Sequence, residues 1–196
     1  MTRADPTRWS RIGVLGGSFD PPHCGHLLLA TYALAVAPID GLLIVPAYAH
    51  AFGKEMTSFE HRLAMVRAGF SVLDPGRVAI SEIERDLPAP SYTYRTLEAL
   101  AAQLPRARFR WIVGSDIVKD TSRWTNLPRV LELAPFFVIG RGGHDAPEHE
   151  HAPLDLPEAS STAVRARVRE GLAITGLVSR DVEDYVRAHG LYREPT

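Results

Sequence analysis

The stretch Arg11–His26, RIGVLGGSFDPPHCGH, decides how the rest of the chain is read. A short apolar run ends on Gly16, Gly17 and Ser18; Pro21 and Pro22 follow, then His23 and His26, then the apolar run LLLATYALAVA. β-forming residues that break on glycine and resume with helical spacing make a strand–turn–helix unit. Glycines at that corner let the backbone turn sharply and let another group come close. The prolines fix φ, and Pro21 pushes Asp20 towards an extended conformation, so the turn is stiff. It delivers both histidines to the first turn of the helix. A tight connection with incidental histidines is the bland alternative. Glycines, a hydroxyl, a rigid elbow and paired imidazoles at one strand end weigh against it.

Working outward, the pattern repeats. Strand candidates are RIGVL (11–15), GLLIVP (41–46), RVAISEI (77–83), RFRWIVG (108–114) and FFVIGR (136–141). Apolar residues at helical spacing fill 25–37, 58–73, 91–104, a shorter stretch at 122–133, then 160–171 and 178–192, with Ser179 as cap and Gly190 as stop. Segment 142–159, rich in Pro, Gly and charge, reads as a loop. Continuous apolar strands alternating with helices predict an α/β fold: a doubly wound, mostly parallel sheet with helices on both faces and a small C-terminal helical part over 160–196. Residues 1–10 read as a polar leader and 11–196 as one domain. Ligands on such sheets sit beyond the carboxyl ends of the strands, which picks out GGSFDPPHCGH, PAYAHAFGK, GSD and RGGH.

Composition narrows the class. The 196 residues are 45% hydrophobic and 23% charged with a net charge of −1, so no global field recruits a nucleic acid polymer or an anionic membrane. An anion site must be local. No apolar run reaches the length of a membrane span, the N-terminus lacks the core of a signal peptide, and the single Cys24 fits a reducing cytoplasm.

The second informative segment is SSTAVRARV, where Ser161 or Thr162 can cap a helix and Arg165 falls beside its first turn. A cation there opposes the helix dipole, which favours acids. The helix after His23 likewise opens without an acid. Two such openings make sense if an external anion supplies the charge and N–H groups, hydroxyls, Arg165 and the histidines cradle a polyphosphate. A surface helix with Val164 and Val168 inward is the alternative for this segment alone. The glycines fit neither GxGxxG nor a P-loop, since Pro21 replaces the third glycine and Glu55 follows Gly53–Lys54. Asp20, His23 and His26 as ligands of a metal-dependent hydrolase lack a clear further ligand, and His144, His149 and His151 read as a solvated cluster. A thiol nucleophile at Cys24 is conceivable but unneeded.

GGSFDPPHCGH resembles the (T/S)-F-D-P-x-H-x-G-H motif of the adenylyl- and cytidylyltransferases of Rossmann-like fold, and SSTAVR resembles their I-S-S-T-x-x-R motif. PSYTYRTL (90–97), GSD (114–116) with Trp124, FFVIGR and the ending LVSRDVEDYVRAHGLY are similar to the nicotinate/nicotinamide mononucleotide adenylyltransferase family. The likeness runs from Arg11 to Tyr192. The chain departs from the family at AYAHAFGK, where P-P-H-K is usual and His50 and Lys54 stand in its place, at RGG (141–143) for R-P-G, and at Glu158–Ala159 before the serines.

The resemblance implies transfer of AMP from ATP to nicotinate mononucleotide, giving deamido-NAD and pyrophosphate in NAD biosynthesis. Nicotinamide mononucleotide or phosphopantetheine is the alternative acceptor, and a non-catalytic nucleotide-binding protein the alternative class. It implies ATP contacts at Gly16, Gly17, Ser18, Phe19, His26, Gly114, Asp116, Ser161, Thr162 and Arg165, with His23, His26 and Arg165 catalytic. It places the mononucleotide at His50, Lys54, Tyr92, Thr93 and Trp124. It also implies magnesium held mainly by the ATP phosphates, with no protein metal cage, and it is compatible with a homodimer. A phosphate monoester has a second pKa of about 6 and is already an anionic nucleophile at neutral pH. The demand is then to align two anions and to stabilise charge on the α-phosphoryl oxygens and the leaving pyrophosphate.

Overall fold

The computed structural model describes residues 4–141, 150–156 and 159–193. Six strands, β1 (Arg11–Gly17), β2 (Gly41–Pro46), β3 (Val78–Ile80), β4 (Arg108–Gly114), β5 (Phe136–Arg141) and β6 (Glu150–Leu156), form one sheet in the order β3-β2-β1-β4-β5-β6. Every pairing is parallel. The helices are α1 (Cys24–Val36), α2 (Phe59–Gly69), α3 (Thr93–Gln103), the short α4 (Ser115–Val118), α5 (Leu127–Leu133), α6 (Ser161–Arg169) and α7 (Arg180–Ala188).

Strand alternation divides the core. Leu42 and Ile44 of β2 pack with Leu29, Ala30 and Ala33 of α1 and Val66 of α2, whereas Leu43 and Val45 pack with Leu97 and Leu100 of α3 and Val130 of α5. Successive residues of one strand thus serve opposite helix layers, so the strands read as unbroken apolar runs. A third cluster, Met65, Val164, Ile174, Val178, Val182 and Val186, fastens α6 and α7 onto α2. Trp9 joins the second core layer from the segment read as a leader: a Cβ at Gly41 would lie 2.3 Å from its ring.

This strand order reverses between β1 and β4, and the crevice at their carboxyl ends is where such a sheet takes a ligand. Gly16–Gly17 and Gly114 end those two strands.

The structure revises several boundaries. β3 stops at Ile80 and Ile83–Asp86 forms a 3-10 turn, because Glu84 turns inward to accept hydrogen bonds from Tyr48 N–H and the Thr96 hydroxyl. α5 starts only at Leu127, after Asn126 in the left-handed region (φ 56°). Ser160 rather than Ser161 or Thr162 caps α6, accepting from Ala163 N–H. Part of the predicted loop 142–159 is strand β6. His144 and His149 lie outside the described residues. Among the described residues no helix is long and apolar enough to cross a membrane.

Candidate active site

The carboxyl end of β1 is built around close approach. A Cβ on Gly16 would sit 2.5 Å from the Trp111 ring, and one on Gly17 would meet the Phe19 ring at 3.2 Å. Phe19 itself takes a left-handed backbone (φ 48°), a conformation that costs a bulky L-residue about 1 to 3 kcal/mol. Its fully buried ring holds it there, edge-on to His26 at 4.8 Å and to Phe70 at 5.7 Å. The Asp20–Pro21 peptide is cis. The turn leads into α1 with His23 as the capping residue and His26 at the third helical position.

The two imidazoles stack, ring centroids 3.7 Å apart. Nδ1 of His26 accepts the His23 backbone N–H at 3.2 Å, so the proton of the neutral ring sits on Nε2, which is then a donor. The histidine spacing thereby sets a tautomer. Burial pushes the Cys24 thiol up from its ordinary value, the reverse of what a nucleophilic cysteine needs.

The opening of α6 clasps this turn. The Ser161 hydroxyl donates to the Pro21 carbonyl at 2.8 Å, and the Arg165 guanidinium donates to the Asp20 carbonyl at 2.7 Å and to the Thr162 hydroxyl at 3.3 Å. Cys24 N–H donates to the Leu177 carbonyl at 2.8 Å. The helices starting at Cys24 and Ser161 thus share one corner, and neither carries an acid in its first turn. α3 and α5 also lack one, whereas α2 opens with Glu60 and α7 with Asp181 and Glu183. The acid-free openings of α1, α3 and α6 contribute His26, Thr93, Ser161 and Arg165 to one cleft of about 400 Å³.

That cleft lies over the β1/β4 crevice. Its walls include Gly16, Gly17, Ser18, Phe19, His26, Gly114, Ser161 and Arg165 together with His50, Lys54, Tyr92, Thr93 and Trp124. All of these belong to the set read from the sequence. Trp124 both lines the cleft and packs edge-on to Trp111 and Phe136, so its core and binding readings coexist. Three predicted residues stand back from the walls. His23 is buried behind His26, Thr162 supports Arg165 from an exposed position, and Asp116 is half-buried on α4.

The altered segment after β2 is pinned from below. Ala47 N–H donates to the Gly17 carbonyl, Ala49 N–H to the Ser91 hydroxyl, and Ser91 N–H back to the Ala49 carbonyl. Burial, with Lys54 and Arg62 nearby, holds the His50 imidazole below the usual histidine range, so it is neutral at neutral pH. Its Nδ1 accepts the Phe52 N–H at 3.1 Å. Exposed Phe52 in turn lies under the Arg123 guanidinium, 4.9 Å from the ring centroid, joining the segment after β2 to that after β4.

Sequence reasoning missed Arg62. Only 1% exposed, it donates to the carbonyls of Thr57, Ser18, Ala47 and Tyr48 at 2.6 to 3.1 Å, and burial pushes its guanidinium down from the usual arginine range. One cation therefore ties the ends of β1 and β2 together beneath the cleft. The signal was present: Arg62 interrupts the apolar stripe Phe59, Leu63, Val66 of α2. Asp20 has an equally defined role. Its carboxylate accepts the Tyr192 hydroxyl at 2.8 Å and the Thr57 N–H at 3.3 Å, which removes it from any metal-ligand set with the histidines.

The cytidylyltransferase-like family model matches residues 14–167. A protein of Anaeromyxobacter dehalogenans named probable nicotinate-nucleotide adenylyltransferase is 45% identical over 93% of this chain and 96% of its own length. Relatives of the same name from Myxococcus xanthus and Thermus thermophilus are 40% and 37% identical over 93% of the chain, covering 94% and 100% of their own lengths. Among solved structures, the Plasmodium falciparum nicotinic acid mononucleotide adenylyltransferase complexed with NaAD superposes with a TM-score of 0.80 at 21% identity, over 93% of this chain and 97% of that one. At that identity the likeness speaks for the Rossmann-like fold.

Proposed function

Because the chain belongs to the cytidylyltransferase-like family, among the nicotinate-nucleotide adenylyltransferases, we propose that its cleft joins the phosphate of nicotinate mononucleotide to the α-phosphorus of ATP. The products are deamido-NAD and pyrophosphate. The observation that carries the reading is the shared corner of α1 and α6, where Ser161 and Arg165 bond to the carbonyls of Pro21 and Asp20 beside the stacked histidines. Two helix N-termini, an arginine and a donating imidazole converging on one place suit a chain of phosphates.

The roles divide along the cleft. Gly16 to Phe19 pass beneath the triphosphate, His26 donates from Nε2 to phosphate oxygens, and Arg165 stabilises charge on the departing pyrophosphate. His23, stacked on His26, sets its orientation and completes the cap. Gly114 and Asp116 stand at the β4 side for the ribose, and Ser161 and Thr162 at the far phosphates. Tyr92, Thr93 and Trp124, with His50 and Lys54, receive the pyridine mononucleotide. The acid-free opening of α3 at Tyr92–Thr93 suits the carboxylate that distinguishes nicotinate from nicotinamide. No general base is needed, since the attacking phosphate is already ionised.

Magnesium would ride on the ATP phosphates. Among the described residues no group of three or more His, Cys, Asp or Glu side chains converges to hold a metal. When bound, the ion neutralises phosphate charge, which is the usual way this hard cation is held with few protein ligands.

The test offers ATP with nicotinate mononucleotide, nicotinamide mononucleotide or phosphopantetheine and follows pyrophosphate and product mass. Deamido-NAD formed in preference to the other products supports the reading. ATP binding without pyrophosphate release from any acceptor returns the protein to the nucleotide-binding class.

A further inference from the structure

Asp20 is the acid of the phosphate-binding turn and borders the cleft, yet both of its carboxylate oxygens are taken up by protein partners. Only 4% exposed, it spends one carboxylate oxygen on the Tyr192 hydroxyl, which donates at 2.8 Å across 172 residues of sequence, and the other on the Thr57 N–H. The Asp20 carbonyl, in the same residue, anchors Arg165. Tyr192 is itself in a forced position. It follows α7 after Gly190 (φ 59°), has a left-handed backbone of its own (φ 65°), and packs with its hydroxyl 3.8 Å from Met65 Sδ. Burial together with the Asp20 charge drives its phenol above the usual tyrosine range, so it is a donor at every working pH. A half-buried tyrosine kept in that backbone conformation, with its hydroxyl directed onto a buried carboxylate, is more than apolar packing against α2 requires.

We propose that Tyr192 is a positioning residue for the transfer reaction: its hydroxyl holds Asp20, and through Asp20 the turn bearing His23 and His26 and the anchor of Arg165. The segment after α7 thereby sets the geometry of the phosphate cradle without touching the substrates. Loss of the hydroxyl leaves a buried carboxylate with one partner fewer, and the cheapest relief is rotation of Asp20 towards water. The turn bearing the histidines and the Asp20 carbonyl that anchors Arg165 then lose their brace to the C-terminal segment and are free to shift together. A shift of about 1 Å at aligned reacting groups costs up to about a hundredfold in rate.

The proposal rests on the adenylyltransferase reading, so its test has one readout that needs no activity. Tyr192→Phe removes one oxygen atom and keeps the ring; Tyr185→Phe, which removes the hydroxyl bonded to His61 of α2, is the control. kcat and KM for ATP are measured with the melting temperature, and the rate of thiol labelling of Cys24, the only cysteine and the first residue of α1 directly after the turn, is followed at mildly alkaline pH. The expected result for Tyr192→Phe is a kcat lower by about tenfold or more with a smaller change in KM for ATP, and faster Cys24 labelling, while Tyr185→Phe changes none of the three. An unaltered labelling rate overturns the proposal. So does a kcat within about twofold of the native value, or a fall no greater than the loss of folded protein. If the native chain makes no dinucleotide at all, it is the functional reading that has failed, and the labelling rates still decide the role of Tyr192.

Discussion

His26 contributes to the cradle through which of its nitrogens bears the proton. Because Nδ1 takes the His23 N–H, a donor at Nε2 is present before any nucleotide arrives, and no reorientation is needed at the transition state. His26→Ala is therefore expected to lower kcat by about a hundredfold to a thousandfold, the range for one preorganised donor, while ATP affinity measured directly changes far less. His23→Ala, which removes the stacked ring at 3.7 Å, is expected to act in the same direction. Steady-state kinetics beside equilibrium ATP titration separates the two quantities; equal losses in both would assign the histidines to binding alone. His50 belongs to a different logic. Burial and two neighbouring cations hold its imidazole below the usual histidine range before any anion arrives, so in the unliganded cleft it is a neutral hydrogen-bonding group beside the charged Lys54.

At the scale of elements, Arg62 shows how α2 serves the site without entering it. Four carbonyls, from Ser18, Ala47, Tyr48 and Thr57, converge on one guanidinium, so the ends of β1 and β2 are held at a fixed separation. Arg62→Met keeps much of the volume and leaves those acceptors without their donor. It is expected to cost about 3 to 5 kcal/mol of stability, read by urea denaturation, and to weaken both substrates together since both lips of the cleft move. A loss below about 1 kcal/mol would mean that water replaces the arginine, and that the four bonds are ornamental. The elements themselves differ in how legible they were. β1, β2, β4 and β5 announce themselves because burial on both faces demands unbroken apolar runs. β6 does not: EHAPLDL carries charge and a proline, which an edge strand paired to one neighbour tolerates and a central one would not. The site divides the same way. Glycines, histidines and the SSTxxR segment could be read because their chemistry is local in sequence. Arg62 was readable only as a charge out of place on an apolar stripe. Tyr192 left no local signal, since its partner lies at the other end of the chain.

The whole molecule joins a substrate crevice set by strand order to a cradle assembled from both ends of the chain. Residues 16–26 and 160–165 meet only because α6 and α7 pack on α2 through Met65, Val164, Val182 and Val186. Ligand binding should therefore stabilise the entire fold, because a phosphate chain lying across that corner links the sheet to the C-terminal helices. ATP at about a hundredfold its dissociation constant adds about 2.7 kcal/mol by mass action. For a chain of this length that corresponds to a rise in melting temperature of about 5 to 11 °C. Inorganic tripolyphosphate is expected to reproduce a good part of the shift and adenosine little of it, if the helix openings and Arg165 carry the affinity. Arg165→Ala should then lower the response to both phosphate ligands, and by itself loosen the clasp on the Asp20 carbonyl enough to reduce the unliganded melting temperature slightly. Thermal scans of the two proteins with the three ligands distinguish this from the opposite arrangement, in which adenosine alone gives the larger shift. In that case the affinity would reside at the base and ribose end of the crevice, and the junction of the two helices would be a structural seam.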